Sequence, residues 1–228
     1  SWWDDSEKLP GLSGGSLCAL WFEGMGIGIL GKQGGYPGPD PDKWDNIDLW
    51  ATNHVKATKD GVPYSTARDK SPTVNAGLDD ENGIIAIGSF MEPDGIDMLV
   101  KRTFDVSGDG LQVSIECVQG SGVPDTLHEV LPLYLGEDDN WVLTEIRFQV
   151  DGVWVDEPGT CTAVKVERNS HLMLIEFEEP ADCSLSDIWA ASYQNAKSRL
   201  QMLSIDIAGT GEVRYTITGP YVHELRKV

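Results

Sequence analysis

"TEIRFQVDGVWV", residues 144–155, carries the pattern that decides the fold. Ile146, Phe148 and Val150 fall on one side of an extended chain, and Glu145, Arg147 and Gln149 on the other. That is a strand with one dry face and one wet face, as an antiparallel sheet requires. Asp151-Gly152 then supplies the residue pair favoured by a two-residue hairpin, and "VWV" returns. The same grammar repeats along the chain. "SLCALWFE", "GIIAIGSF", "DMLVKRTFDV", "GLQVSIECV", "TAVKVER", "HLMLIEFE", "LSIDIA" and "EVRYTIT" are rich in β-branched or aromatic residues. Asp60-Gly61, Asn82-Gly83, Asp109-Gly110 and Pro158-Gly159 punctuate them as turns. A dozen or more strands with no linker and no fixed-period repeat predict one all-β domain over residues 1–228. We expect a large antiparallel β-sandwich of jelly-roll or supersandwich type. Residues 1–15 read as an N-terminal extension. "SDIWAASYQNAKSRLQ", residues 186–201, has helix-like composition and reads as a short helix or loop.

Composition excludes several function classes. Thirty-seven acidic residues against seventeen basic ones give a net charge of −20, which repels nucleic-acid phosphates and anionic membranes. No run is long and apolar enough to cross a bilayer as a helix. The expected partners are therefore neither nucleic acid nor membrane. The two-histidine zinc helix and the phosphate loop are missing from the sequence, and the glycine-rich "SGGS" and "GMGIG" flank a strand with no helix after them, so they read as turns and close sheet packing. The four cysteines, at 18, 117, 161 and 183, contain no CxxC pair, which disfavours a zinc knuckle. They allow three disulfide connectivities. Cys18 and Cys117 sit in apolar strand runs that suit buried free thiols, whereas Cys161 and Cys183 flank two candidate strands and could pair.

"DLWATNHVKAT", residues 48–58, is the richest stretch in functional groups. Leu49, Ala51, Asn53, Val55 and Ala57 share one face, and Trp50, Thr52, His54, Lys56 and Thr58 the other. An indole plane beside a row of hydrogen-bonding groups suits the apolar face and the hydroxyls of a sugar. Asn53, on the apolar side, requires a buried partner. "VPYSTARD" follows after Asp60-Gly61, and a hairpin there offers Tyr64 and Arg68 to the same neighbourhood. With His54 or Tyr64 as base, and Arg68 or Lys56 neutralising a carboxylate, such a cluster has the parts for β-elimination on a uronic acid. His128 is held in reserve beside "VLPLYL". The loop at 31–48, "GKQGGYPGPDPDKWDNID", is the longest irregular segment and reads as functional. Tyr36, Trp44 and Trp50 bracket it as stacking candidates. Asp40, Asp42 and Asp45, with Asn46 and Asp48, offer hard oxygen ligands suited to calcium. The segment departs from the helix-loop-helix calcium pattern in its missing sixth-position glycine and twelfth-position glutamate.

Four stretches carry a resemblance: "LCALWFEGMGIGILG" at 17–31, "LWATNHVKATKDGVPYS" at 49–65, "VKRTFDVSGDGLQVSIE" at 100–116 and "LHEVLPLYL" at 127–135. Their order resembles the β-sandwich that follows the helical toroid in heparinase II/III-like and related polysaccharide lyases. In that family a sandwich strand carries a histidine in an "HNT…DG" context facing the sugar cleft. Here the order is "NH…DG", Asn53 before His54. The toroid, which supplies the main catalytic tyrosine and histidine, is not among these residues. The resemblance implies a carbohydrate-binding or accessory domain of a polysaccharide-degrading protein, secreted or at the cell surface. The alternatives are a stand-alone lyase acting on uronic-acid polymers and a structural or assembly sandwich with no sugar site.

Overall fold

The computed structural model describes residues 17, 19–31, 53–69, 71–78, 83–91, 96–107, 110–120, 123–137, 143–193 and 196–222. In chain order the strands are β1 (Ala19–Phe22), β2 (Gly26–Leu30), β3 (His54–Lys59), β4 (Val62–Ser65), β5 (Thr73–Leu78), β6 (Gly83–Phe90), β7 (Met98–Ser107) and β8 (Gly110–Gln119). There follow β9 (Thr126–Glu137), β10 (Glu145–Val150), β11 (Val153–Val155), β12 (Thr160–Arg168), β13 (His171–Leu185), β14 (Trp189–Tyr193), β15 (Ala196–Asp206) and β16 (Glu212–Val222). The fold is all-β and every pairing is antiparallel, as the alternation predicts.

One continuous ladder folds into two layers. The first layer is built on β9, which pairs with β15 along one edge and with β3 and β2 along the other. The second runs β5-β6-β7-β8-β16-β13-β12-β10-β11. Strand β13 belongs to both layers: its first half pairs with β16, and Cys183–Leu185 pair with β15. The core lies between the layers, where Val55, Leu127, Leu131, Leu203 and Ile205 of the first meet Val100, Ile115, Val164, Ile175 and Ile217 of the second. The stretch at 144–155 behaves as its pattern requires. Phe148 is fully buried opposite Val164, while Arg147 stays on the wet face with Glu145 and Asp156.

Turn chemistry sets the hairpins. Asp60 and Gly61, and Asp151 and Gly152, all have positive φ, as two-residue turns matching strand twist demand. Gly110 opens β8 at φ 151°, and a Cβ there would sit 2.5 Å from the Ile217 carbonyl oxygen on β16. Gly110→Ala is therefore expected to cost roughly 1–3 kcal/mol through backbone strain alone, read as a lower urea midpoint at unchanged slope.

Residues 186–201 correct the expectation of a helix or loop. They contribute β14 and the start of β15, and β15 pairs with β9 over nine positions from Ser198 to Asp206. Local composition yields here because β9 otherwise presents an unpaired edge inside the layer. Residues 1–15, and all of the loop at 31–48 except Gly31, lie outside the described residues. No helix among the described residues is long and apolar enough to cross a membrane.

Candidate functional site: the two faces of strand β3

Strand β3 carries two distinct polar groupings, one on each side of its layer. On the core side, Asn53, Val55 and Ala57 are buried, and Tyr64 lies directly opposite Ala57. On the far side lie His54, Lys56 and Thr58. The hairpin at Asp60-Gly61 forms as expected, yet its register puts Ser65, and not Tyr64, opposite Lys56. Tyr64 packs against the core, with the sheet between it and His54. The expected gathering of Tyr64 with His54 and Lys56 therefore does not form, because cross-strand partners share a face and the pairing places Tyr64 with Ala57. Thr66–Arg68 is a short 3-10 turn capped by the Ser65 hydroxyl, which accepts from the Ala67 amide at 3.0 Å. The Arg68 side chain lies outside the described residues, as do Tyr36, Trp44, Trp50, Asp40, Asp42 and Asp45. Among the described residues no three His, Cys, Asp or Glu side chains gather as a metal site.

On the core side, Asn53 finds the buried partners its position demands. Its amide nitrogen donates to Glu129 Oε1 at 2.6 Å and to the Val130 carbonyl at 3.0 Å. Its Oδ1 accepts from the Leu17 amide at 3.1 Å and from Arg102 Nη1 at 3.4 Å. The Tyr215 hydroxyl donates to Glu129 Oε1 at 3.3 Å. Asn53, Arg102 and Glu129 are each 0% exposed. Asn53 and Glu129 come from the first layer, Arg102 and Tyr215 from the second, so this cluster bridges the sandwich through its core. Burial pushes the Glu129 carboxyl up to about 7, against the pull of Arg102 and the hydrogen bonds from Asn53 and Tyr215. Burial also lowers Arg102, with Glu129 opposing, and raises Tyr215 well above its ordinary value. Glu129 Oε2 accepts no hydrogen bond among the described residues.

Sequence reasoning missed Arg102, Glu129 and Tyr215 in this role, although a signal was present. Each replaces the middle member of an alternating apolar triplet: Val100-Arg102-Phe104, Leu127-Glu129-Leu131 and Val213-Tyr215-Ile217. A polar residue in such a slot must point into the core and needs a partner there.

On the far side the register assembles a polar patch. Lys56 lies opposite His128, His54 opposite Val130, and Thr58 opposite Thr126. Across β9, Asp206 lies opposite His128 and Ser204 opposite Val130. Three strands thus present His54, Lys56, Thr58, Thr126, His128, Ser204 and Asp206 on one face. Their exposure is graded: His54 is 1% exposed, Lys56, His128 and Ser204 are half-buried, and Thr126 and Asp206 are open to solvent. His54 is thus a floor residue and not part of an open row. His128 joins it on this face through the pairing of β9 with β3, which no local pattern in the sequence announces. An apolar cluster of Val130, Tyr134, Leu200 and Met202 continues the same face. The sequence matches no protein-family model and no curated protein.

Proposed function

We propose that this chain is a carbohydrate-binding β-sandwich, the accessory domain of a secreted or cell-surface protein that degrades polysaccharide. The observation that supports the reading is the far-face patch on β3, β9 and β15. Hydroxyl, imidazole and ammonium groups converge there on a rigid sheet, with the apolar cluster beside them. Such a surface matches the hydroxyls and ring faces of an oligosaccharide. Lys56 would take a uronic-acid carboxylate, helped by His128. Tyr36, Trp44 and Trp50 are the proposed stacking rings, and Asp40, Asp42 and Asp45 the proposed calcium ligands. With a net charge of −20, binding to an anionic chain should tighten at moderate salt, as long-range repulsion is screened faster than the short contact at Lys56.

The facing of Lys56 and His128 also favours a second reading, a lyase. In it a histidine of this face removes the proton beside a carboxylate held by Lys56. Tyr64, on the opposite face, is not available to share that role.

Electrophoresis through gels containing uronic-acid polysaccharides tests the proposal. Retardation is expected for the native chain. Lys56→Ala should weaken it roughly ten- to hundred-fold, the worth of one charge-assisted contact. Formation of an unsaturated, ultraviolet-absorbing product would select the lyase reading. Unretarded migration on every polymer, with assembly in solution, would favour a structural sandwich.

A further inference from the structure

We propose that Cys161 and Cys183 are a built disulfide site that locks the crossing of β13 between the two layers. Both thiols are free in the structure and buried in the core. Cys161 on β12 lies opposite Ala181, so Cys183, two residues on, shares its face on the diagonal. Two bonds hold the strands together around the pair: the Cys183 amide donates to the Gly159 carbonyl at 3.0 Å, and on the outer face the Thr160 hydroxyl donates to the Asp182 carboxylate. The two thiols hydrogen-bond each other. Donation from Cys183 holds the Cys161 thiol below its usual range, so Cys161 is the first to become a thiolate.

The position gives the bond a purpose. Between the pairs Ala163↔Glu176 and Cys161↔Ala181 the ladder shifts register, and the extra residues of β13 bulge outward. Strand β13 pairs with β16 up to Phe177 and joins β15 from Cys183. A bond from Cys161 to Cys183 would hold the far side of that bulge to β12. Cys117 contrasts with Cys161: burial pushes its thiol up to about 12, and Glu129 adds to the rise.

The oxidant is a small disulfide such as oxidised glutathione. While the chain folds and before the core closes over it, the Cys161 thiolate attacks one of its sulfurs, forming a mixed disulfide and releasing one glutathione thiolate, which takes up the proton Cys161 lost. Cys183, giving up its proton, then attacks the Cys161 sulfur and expels the second glutathione as its thiol. Two protein thiols are oxidised and one glutathione disulfide is reduced to two thiols.

The test is to refold the full chain in glutathione buffers of graded ratio, quench with an alkylating agent, and map tryptic peptides by mass. The expected result is a cross-link between peptides 148–165 and 169–197, with a loss of about 2 Da and Cys117 alkylated. The oxidised chain should melt about 5–10 °C above its reduced form, as expected for closing a ring of this length. Alkylated or singly glutathionylated Cys161 and Cys183 across all ratios would overturn the proposal, and so would cross-links to other cysteines. Mapping needs only the native sequence, so the answer does not depend on a cysteine variant folding.

Discussion

Arg102→Met is expected to destabilise the fold by about 3–5 kcal/mol, the cost of removing one member of a buried polar cluster and leaving its partners unmatched. The guanidinium is wholly buried, and its charge and its bond to Asn53 are what the core offers Glu129 in exchange for water. Methionine fills much of the same volume, so the loss would report charge and hydrogen bonding and not a cavity. Urea denaturation of the single variants and of Arg102→Met/Glu129→Leu makes the test a double-mutant cycle. The double variant should recover much of the loss, because replacing both charges removes the desolvation cost of each. A single-variant loss below about 1 kcal/mol would show that the bridge does not hold the layers together.

Stability should fall as pH rises through the range in which Glu129 ionises. The carboxyl moves from its ordinary 4.5 to about 7 in the folded chain. The folded state therefore holds this proton more tightly than the unfolded state. The stability so gained is fully present below pH 4.5, declines between pH 4.5 and 7, and is lost above that. The span is roughly 3 kcal/mol, at 1.36 kcal/mol for each tenfold change in proton affinity. The groups facing Glu129 are Arg102, Asn53, Tyr215 and Cys117, from both layers. Of these Tyr215 and Cys117 stay protonated because burial raises both, and burial lowers Arg102 with Glu129 opposing. Relief of the net negative charge at low pH acts in the same direction on every variant. The informative quantity is therefore the difference between native and Glu129→Gln unfolding free energies from pH 4 to 8. It should change by roughly 3 kcal/mol, in favour of the native chain at low pH. A constant difference would contradict the assignment.

How much of this was legible in the sequence depends on the range of the interaction. Period-two alternation and the Asp-Gly turns are local, so "TEIRFQVDGVWV" and "HVKATKDGVPYS" could be read as hairpins and were found as hairpins. Strand β9 was harder to read. Pro132 interrupts a run that is buried from Val130 to Gly136, and proline argues against a central strand. It is tolerated where the neighbour on one edge changes from β3, ending at Val130, to β2, meeting Leu133. The helix-like reading of residues 186–201 failed because β14 pairs with β15 in a hairpin that the composition does not signal, and β15 is in turn paired with β9, some sixty positions earlier. The sites divide in the same way. Asn53 announced its need for a buried partner locally. Its partners Arg102, Glu129 and Tyr215 are set by register between distant strands, as is the facing of Lys56 and His128.

Hydrogen–deuterium exchange with and without a uronic-acid hexasaccharide locates the sugar on the sheet. Saturating sugar is expected to slow exchange in peptides covering His54–Lys59 and Thr126–Val130, and Lys56→Ala to remove this protection. Saturable binding with protection confined to strands β5–β8, or no change in exchange with any sugar offered, would contradict the proposed site.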